Sequence, residues 1–241
     1  MTGKMNPKGR LYLVPTPLGE SGLPPVLPAE VQQRLSAIRH FVVEHSKTAR
    51  HFLKQIAGLP PLASLELMEL SEHTAAKVLP DLLAPLLNGR DVGLLSEAGC
   101  PAVADPGASL VRLAHQQGIQ VVPLVGPSAI LLALMASGLN GQRFCFHGYL
   151  PVVQDARDEK ILQLEKRSRQ ENETQIFIET PYRNLRLLEA LLQRCNAQTQ
   201  LCIACNLTLV DEYVFTRAIG EWRQNSLPAI HKRPAVFLLQ G

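Results

Sequence analysis

The sequence predicts an α/β protein of two domains, with a mainly parallel five-stranded sheet in the N-terminal domain and a mixed sheet in the C-terminal one. Three observations predict it. Short apolar runs alternate with longer stretches of helical period, which is the pattern of repeated βα units. Pro/Gly clusters follow those apolar runs and hold much of the 18 prolines and 16 glycines among 241 residues. Near the midpoint, Pro123-Leu124-Val125-Gly126-Pro127 frames a glycine with two prolines, a segment that ends a strand and redirects the chain. The domains are accordingly placed at 10–122 and 126–241.

In the first half the expected strands are Leu11–Val14, Phe41–Val43, Leu65–Leu70, Val92–Ser96 and Gln120–Val122. Helical periodicity predicts crossovers at Ala29–Ile38, Lys47–Ile56, Thr74–Leu87 and Ala108–Gln117, enough to join five parallel strands. The second half opens with a helix at Ser128–Ser137, a strand at Phe144–His147, a charged helix near Arg157–Arg169 and a strand at Gln175–Glu179. A helix at Tyr182–Arg194 and strands at Leu201–Cys205, Tyr213–Thr216 and Ala235–Leu239 complete it. Too few residues separate some of the last strands for helical crossovers, so part of this sheet must be antiparallel.

Composition excludes several classes. Charged residues are 19% of the chain, with 24 Lys+Arg against 21 Asp+Glu for a formal charge of +3. That balance carries no strong nucleic-acid signature. Hydrophobic residues at 46% can fill a core without disulfides or metal. Five cysteines, an odd number, fit a reducing compartment, and hence the cytoplasm, better than a disulfide framework. The polar, basic start lacks the apolar stretch of a secretion signal. Gly118–Gln142 has no formal charge for 25 residues, but Pro123, Gly126, Pro127 and Ser128 interrupt it, so it reads as buried protein and not as a membrane span.

Common catalytic signatures are missing. There is no G-x-G-x-x-G after the first strand, no phosphate-binding Walker loop and no H-E-x-x-H. Gly126-Pro127-Ser128 starts like a nucleophile elbow, but Ile130 replaces the second glycine. Cys202-Ile203-Ala204-Cys205 falls inside an apparent strand, where positions i and i+3 point to opposite faces, so it reads as two small buried side chains; no metal site is expected. What remains are the loops after the apolar strands: Pro15 to Gly19, Ser96 to Pro101, Asp105 to Gly107, and Pro123 to Pro127. In an open α/β sheet ligands bind beyond the carboxyl ends of the strands, so these loops mark the expected site.

Read together, these loops resemble the tetrapyrrole methylase superfamily, and most closely its ribosomal RNA small-subunit methyltransferase I branch. The P-T-P-x-G opening is matched by Pro15-Thr16-Pro17-Leu18-Gly19. The signature S-D-A-G-x-P-x-x-x-D-P-G is matched by Ser96 to Gly107, with Glu97 for aspartate. P-x-x-G-P-x-A is matched by Pro123, Gly126, Pro127 and Ala129, G-[FY]-L-P by Gly148 to Pro151, and E-[ST]-P-x-R by Glu179, Thr180, Pro181 and Arg183. The resemblance implies a tetrapyrrole methylase-like fold, S-adenosyl-L-methionine bound in a cleft between the two domains, a methyltransferase activity and a homodimer. It implies cofactor contacts from Pro15, Pro17, Leu18, Ser96, Ala98, Gly99, Cys100 and Val103 in the first half. In the second half it implies Ser128, Ala129, Thr180, Asn206, Leu207, Pro234 and Ala235.

Methyl transfer from a sulfonium asks little acid–base chemistry of the protein, because positioning supplies much of the rate. For a hydroxyl acceptor a carboxylate can take the proton, and Glu97 is the first candidate, with Glu44 second. The acceptor side departs from the family. A-E-D-T-R becomes Val43-Glu44-His45-Ser46-Lys47, the asparagine after the first loop becomes Glu20, and Cys205 and Leu209 stand where arginine and lysine are usual. Fewer cations mean weaker phosphate binding. The resemblance implies small-subunit ribosomal RNA, modified at a ribose 2′-hydroxyl, as the acceptor; the lost cations favour instead a tetrapyrrole or other small molecule, and a non-catalytic cofactor-binding homologue is the third reading.

Overall fold

The apolar tetrapeptides of the first half become the strands β1 (Leu11–Val14), β2 (His40–Val43), β3 (Glu66–Glu69) and β4 (Val92–Leu95), joined by β5 (Val121–Pro123). They are seen in a computed structural model that describes residues 7–20 and 26–241. All four pairings are parallel, in the order β3-β2-β4-β1-β5. Successive side chains alternate between two cores, as period 2 requires. Tyr12, Val14, Phe41 and Val43 enter one, with α1 (Ala29–Ser36) and α2 (Ser46–Leu53); Leu11, Val42, Val92 and Leu94 enter the other, with α3 (Leu79–Leu82), α4 (Ala84–Leu87) and α5 (Gly107–Gln116).

That division follows from handedness. Connections from β1 to β2 and from β2 to β3 run one way along the sheet, and those from β3 to β4 and from β4 to β5 run the other. Right-handed crossovers then put their helices on opposite faces. The direction changes between the neighbours β1 and β4, and a doubly wound sheet opens a crevice at such a switch point.

The single helix expected at Thr74–Leu87 is instead a 3-10 turn at Ala76–Val78 followed by the two short helices α3 and α4. Pro80 and Pro85 each lie in the first turn of a helix, where a missing N–H costs nothing, whereas a continuous helix would place Pro85 in its interior.

The chain divides into two units between Pro127 and Ser128. The second contains α6 (Ala129–Ser137), β6 (Phe144–Tyr149), α7 (Gln154–Glu171), β7 (Thr174–Ile178), α8 (Asn184–Arg194), β8 (Gln200–Cys205), β9 (Tyr213–Ala218), α9 (Ile219–Gln224) and β10 (Ala235–Gln240). Its strand order is β6-β7-β10-β8-β9, parallel only between β6 and β7. One face carries a core of Ile161, Leu164, Phe177, Leu188, Trp222 and Phe237, with Trp222 fully buried and its indole N–H donating to the Leu201 carbonyl at 2.9 Å. Helix α6 packs on β8, β9 and β10. Helix α8 begins at Asn184 and not at Tyr182, because Thr180 to Arg183 form a turn closed by Arg183 N–H donating to Thr180 O at 2.8 Å. Helix α9 was not expected; six residues are too few to show a period.

Candidate functional site

In the first unit the carboxyl ends of β1, β4 and β5 fall on one edge, since Val14 pairs with Leu95 and Leu13 with Pro123. The loops that leave them are joined. Thr16 N–H donates to Gly99 O at 2.9 Å and Gly99 N–H donates back to Thr16 O at 3.1 Å. Ser96 Oγ also donates to Gly99 O at 3.0 Å, and Thr16 Oγ1 donates to Ser96 O at 3.2 Å. Gly99 has φ +75, and a Cβ there would lie 3.2 Å from Leu18 Cδ2. Gly126 is also obligatory, for space: a Cβ would lie 2.2 Å from Pro15 Cγ. Cys100 Sγ donates to Pro127 O at 3.4 Å, and burial pushes its thiol pKa up, which keeps it protonated.

Next along the chain, Ala102 and Ala104 both have left-handed φ, on either side of half-exposed Val103. Such conformations are strained for alanine and gather at ligand sites. Asp105 makes them possible: its Oδ1 accepts from Ala102 N–H at 2.8 Å and from Gly107 N–H at 2.7 Å. Burial raises the Asp105 pKa despite those two bonds.

The expected carboxylates lie at the same edge. Glu97 follows β4, and its Oε1 accepts from Thr48 Oγ1 at 2.7 Å and lies 3.5 Å from His45 Nδ1. Its Oε2 has no hydrogen-bond partner among the described residues. Glu44 follows β2; burial, then the charges of Glu97 and Asp105, raise its pKa. A cavity of about 1000 Å3 is bounded by the loop from Thr16 to Glu20, by α2, and by Leu95 to Ala98. Glu97 lines it, as do Pro17, Leu18, Ser96 and Ala98. Thr48, His51 and Lys54 line it too, and the sequence reading missed them. Their helical spacing was the available signal.

In the second unit the expected residues also share an edge, because Val236 pairs with Ile178 and Ala235 with Cys205 in antiparallel register. Glu179, 7% exposed, accepts from Thr180 N–H at 2.7 Å and from Arg183 Nε at 2.9 Å. Asn206 N–H donates to Pro234 O at 3.0 Å, which ties the Asn206-Leu207 loop to the segment entering β10. Asn206 and Thr208 both have left-handed φ. Thr208 Oγ1 is buried without a partner among the described residues. A buried hydroxyl left in this way is costly unless a ligand completes it, so this edge fits a polar cofactor. Ser128 differs from the others: its Oγ caps α6 by accepting from Leu131 N–H at 3.4 Å, with Ala129 as the first helical residue.

Cys202 and Cys205 are fully buried and point to opposite faces of β8, and burial raises both thiol pKa values. All five cysteines are free thiols. Among the described residues no three His, Cys, Asp or Glu side chains gather as metal ligands, and no helix is long and apolar enough to cross a membrane.

Residues 10–222 match the tetrapyrrole (corrin/porphyrin) methylase family. The chain belongs to that family. Within it, ribosomal RNA small subunit methyltransferase I of Escherichia coli O157:H7 is 34% identical over 219 residues, covering 90% of this chain and 71% of the relative. The protein of the same name from Vibrio cholerae is 35% identical, covering 88% and 69%. Among solved structures the methyltransferase CobJ superposes with a TM-score of 0.62 at 18% identity, over 97% of this chain and 94% of that one, a likeness of fold. This methylase is an S-adenosylmethionine-dependent methyltransferase.

Proposed function

We propose that the enzyme methylates a ribose 2′-hydroxyl of small-subunit ribosomal RNA, with Glu97 as the proton acceptor. The observation that carries this is the Glu97 carboxylate, which lines the cavity at the end of β4 with Oε1 held by Thr48 and Oε2 left open among the described residues. The relatives' names support the RNA acceptor. Pro15 to Leu18 and Ala98 to Val103 on the first unit, and Thr180, Asn206 to Thr208, Pro234 and Ala235 on the second, are the residues proposed to hold the cofactor. Bound S-adenosylmethionine supplies an electrophilic methyl whose departing thioether needs no acid.

The protein's part is then orientation and one proton. The hydrogen-bonded loops at Thr16 and Gly99 give rigid walls, and such positioning can lower a barrier by roughly 7–11 kcal/mol. Glu97 takes the hydroxyl proton on Oε2 as the oxygen–methyl bond forms. Thr48 and His45 hold Oε1 and so orient the carboxylate; they are positioning residues. Burial first, and then the charge of Glu97, raises the Glu44 pKa, and Glu44 does not line the cavity among the described residues, so it is the second candidate for the base.

A tetrapyrrole acceptor is the second reading, favoured by Glu20 in the cavity wall and by buried Cys205 where the RNA-methylating branch has arginine. Incubation with tritiated S-adenosylmethionine decides between them. Label in alkali-resistant dinucleotides of small-subunit RNA supports the proposal, and label in uroporphyrinogen III with none in RNA overturns it. A homodimer is proposed as the working assembly, to be tested by light scattering. A cytoplasmic location is proposed too, supported by five free thiols.

A further inference from the structure

Helix α2 buries Ala49, Phe52 and Leu53 in the sheet core. At 100° per residue, Lys47, His51 and Lys54 fall on one stripe, and all three line the cavity. Carboxylates line the same cavity from elsewhere, Glu20 in the loop after β1 and Glu97 after β4. Charge is therefore segregated: cations on the helix, anions on the loops.

Neither lysine makes an ion pair among the described residues, whereas Glu97 is engaged by His45 and Thr48. Lys47 is also placed against local electrostatics. It sits in the first turn of α2, at the positive end of the helix dipole, and that turn contains no acidic residue. Carboxylates reach that pole from outside the helix, Glu69 Oε1 accepting from Ser46 N–H at 3.2 Å and Glu97 Oε1 from Thr48 Oγ1 at 2.7 Å, but neither forms an ion pair with Lys47 among the described residues, which leaves the ammonium available to an external anion.

We infer that α2 is the phosphate-binding wall of the acceptor site, with Lys47 and Lys54 each taking one backbone phosphate of a single RNA strand. Seven residues at a 1.5 Å rise separate them by roughly 10 Å, room for two phosphates and not one. The ribose carried between those phosphates then lies beside Glu97, whose Oε1 Thr48 of the same helix holds at 2.7 Å. His51, between the lysines, adds a third polar contact. This rests on the RNA reading proposed above, and it assigns to lysines of one helix the grip that Cys205 and Leu209 no longer supply.

The test is the salt dependence of binding to a fluorescent single-stranded RNA oligonucleotide, for the intact protein and for the Lys47→Gln/Lys54→Gln variant. Each phosphate contact to a single strand contributes about 0.7 to the slope of log K against log salt, so the double variant's slope falls by about 1.4. Between about 50 and 200 mM salt the parent then loses roughly sevenfold more affinity than the variant. S-adenosylhomocysteine affinity stays within about twofold in the variant, which reports an intact fold, and Lys77→Gln, on a different surface segment, leaves the slope unchanged. RNA binding with an unaltered slope in the double variant overturns the phosphate wall and leaves the RNA reading standing. Uroporphyrin binding by the parent with no RNA binding at any salt overturns both.

Discussion

Thr16 and Gly99, 83 residues apart in sequence, exchange both of their backbone hydrogen bonds, at 2.9 and 3.1 Å. Together with the Thr16 Oγ1 bond to Ser96 O, this pair closes the gap between the ends of β1 and β4, where the sheet changes its winding direction. Two loops that would otherwise move independently become one surface, presented by two central strands.

Gly99→Ala should disturb that surface. A left-handed φ costs an alanine roughly 1–2 kcal/mol, and the new methyl would press on Leu18 at 3.2 Å. Urea unfolding should show a loss of about that size, with weaker S-adenosylhomocysteine binding by calorimetry. A variant as stable and as tight-binding as the parent would show that the junction is dispensable.

Glu97→Gln should separate chemistry from binding. The amide oxygen can still accept from Thr48, so the fold and cofactor affinity persist, but no carboxylate remains to take a proton. A fall in kcat of roughly 100-fold or more is expected, with KM nearly constant. A rate within threefold of the parent at neutral pH would remove Glu97 from the proton path.

Glu44→Gln should stabilise the protein, and only above acid pH. Burial and the charges of Glu97 and Asp105 raise the folded-state pKa of Glu44 above its ordinary value of 4.5. Ionisation therefore penalises the folded state: the penalty is absent below about pH 4.5, where both states are protonated, and complete once the pH passes the raised value. Thermal melts should show a gain for the variant at pH 7 that vanishes near pH 4. An equal gain at both pH values would mean the effect is packing and not charge.

Alkylation should divide the five thiols. Burial, aided by Glu165, pushes the Cys195 thiol up to about 12, and Cys202 and Cys205 are also raised and buried. Iodoacetamide at mildly alkaline pH should mark partly exposed Cys145 first in the native protein and reach the three buried cysteines only after unfolding, as read by mass spectrometry. Rapid native labelling of Cys202 or Cys205 would contradict their place in the core of β8.

Much of this was legible in the residues. Leu11–Val14 and Val92–Leu95 are short apolar runs ended by Pro or Ser, and no helix period competes with them. The Pro/Gly loops marked the candidate site because a turn that must admit a ligand is restricted in residue type. The break in Thr74–Leu87 was open to the same reasoning, since Pro80 and Pro85 were visible, but the apolar period continues through them. Other features were not local. Nothing near Glu97 announces Thr48, 49 residues away, and nothing in Ala102 or Ala104 declares a left-handed backbone, which Asp105 braces through the N–H groups of Ala102 and Gly107. The α2 stripe lay between these cases: its spacing was readable, but its facing a cavity was not.

The strand order of the second unit has a consequence for how the protein is made. β10 lies between β7 and β8, so the middle of this sheet is synthesised after both of its neighbours and after β9. Until Ala235–Gln240 emerges from the ribosome, β7 and β8 each expose an unpaired edge, with Phe177, Ile203 and Leu201 uncovered beside it. The first unit has the same feature earlier, since β4 enters between β2 and β1, but everything from β1 to β5 is complete by Pro123. A nascent chain stalled between those two points would hold one finished half and one adhesive half, and that is the interval in which a chaperone has most to protect.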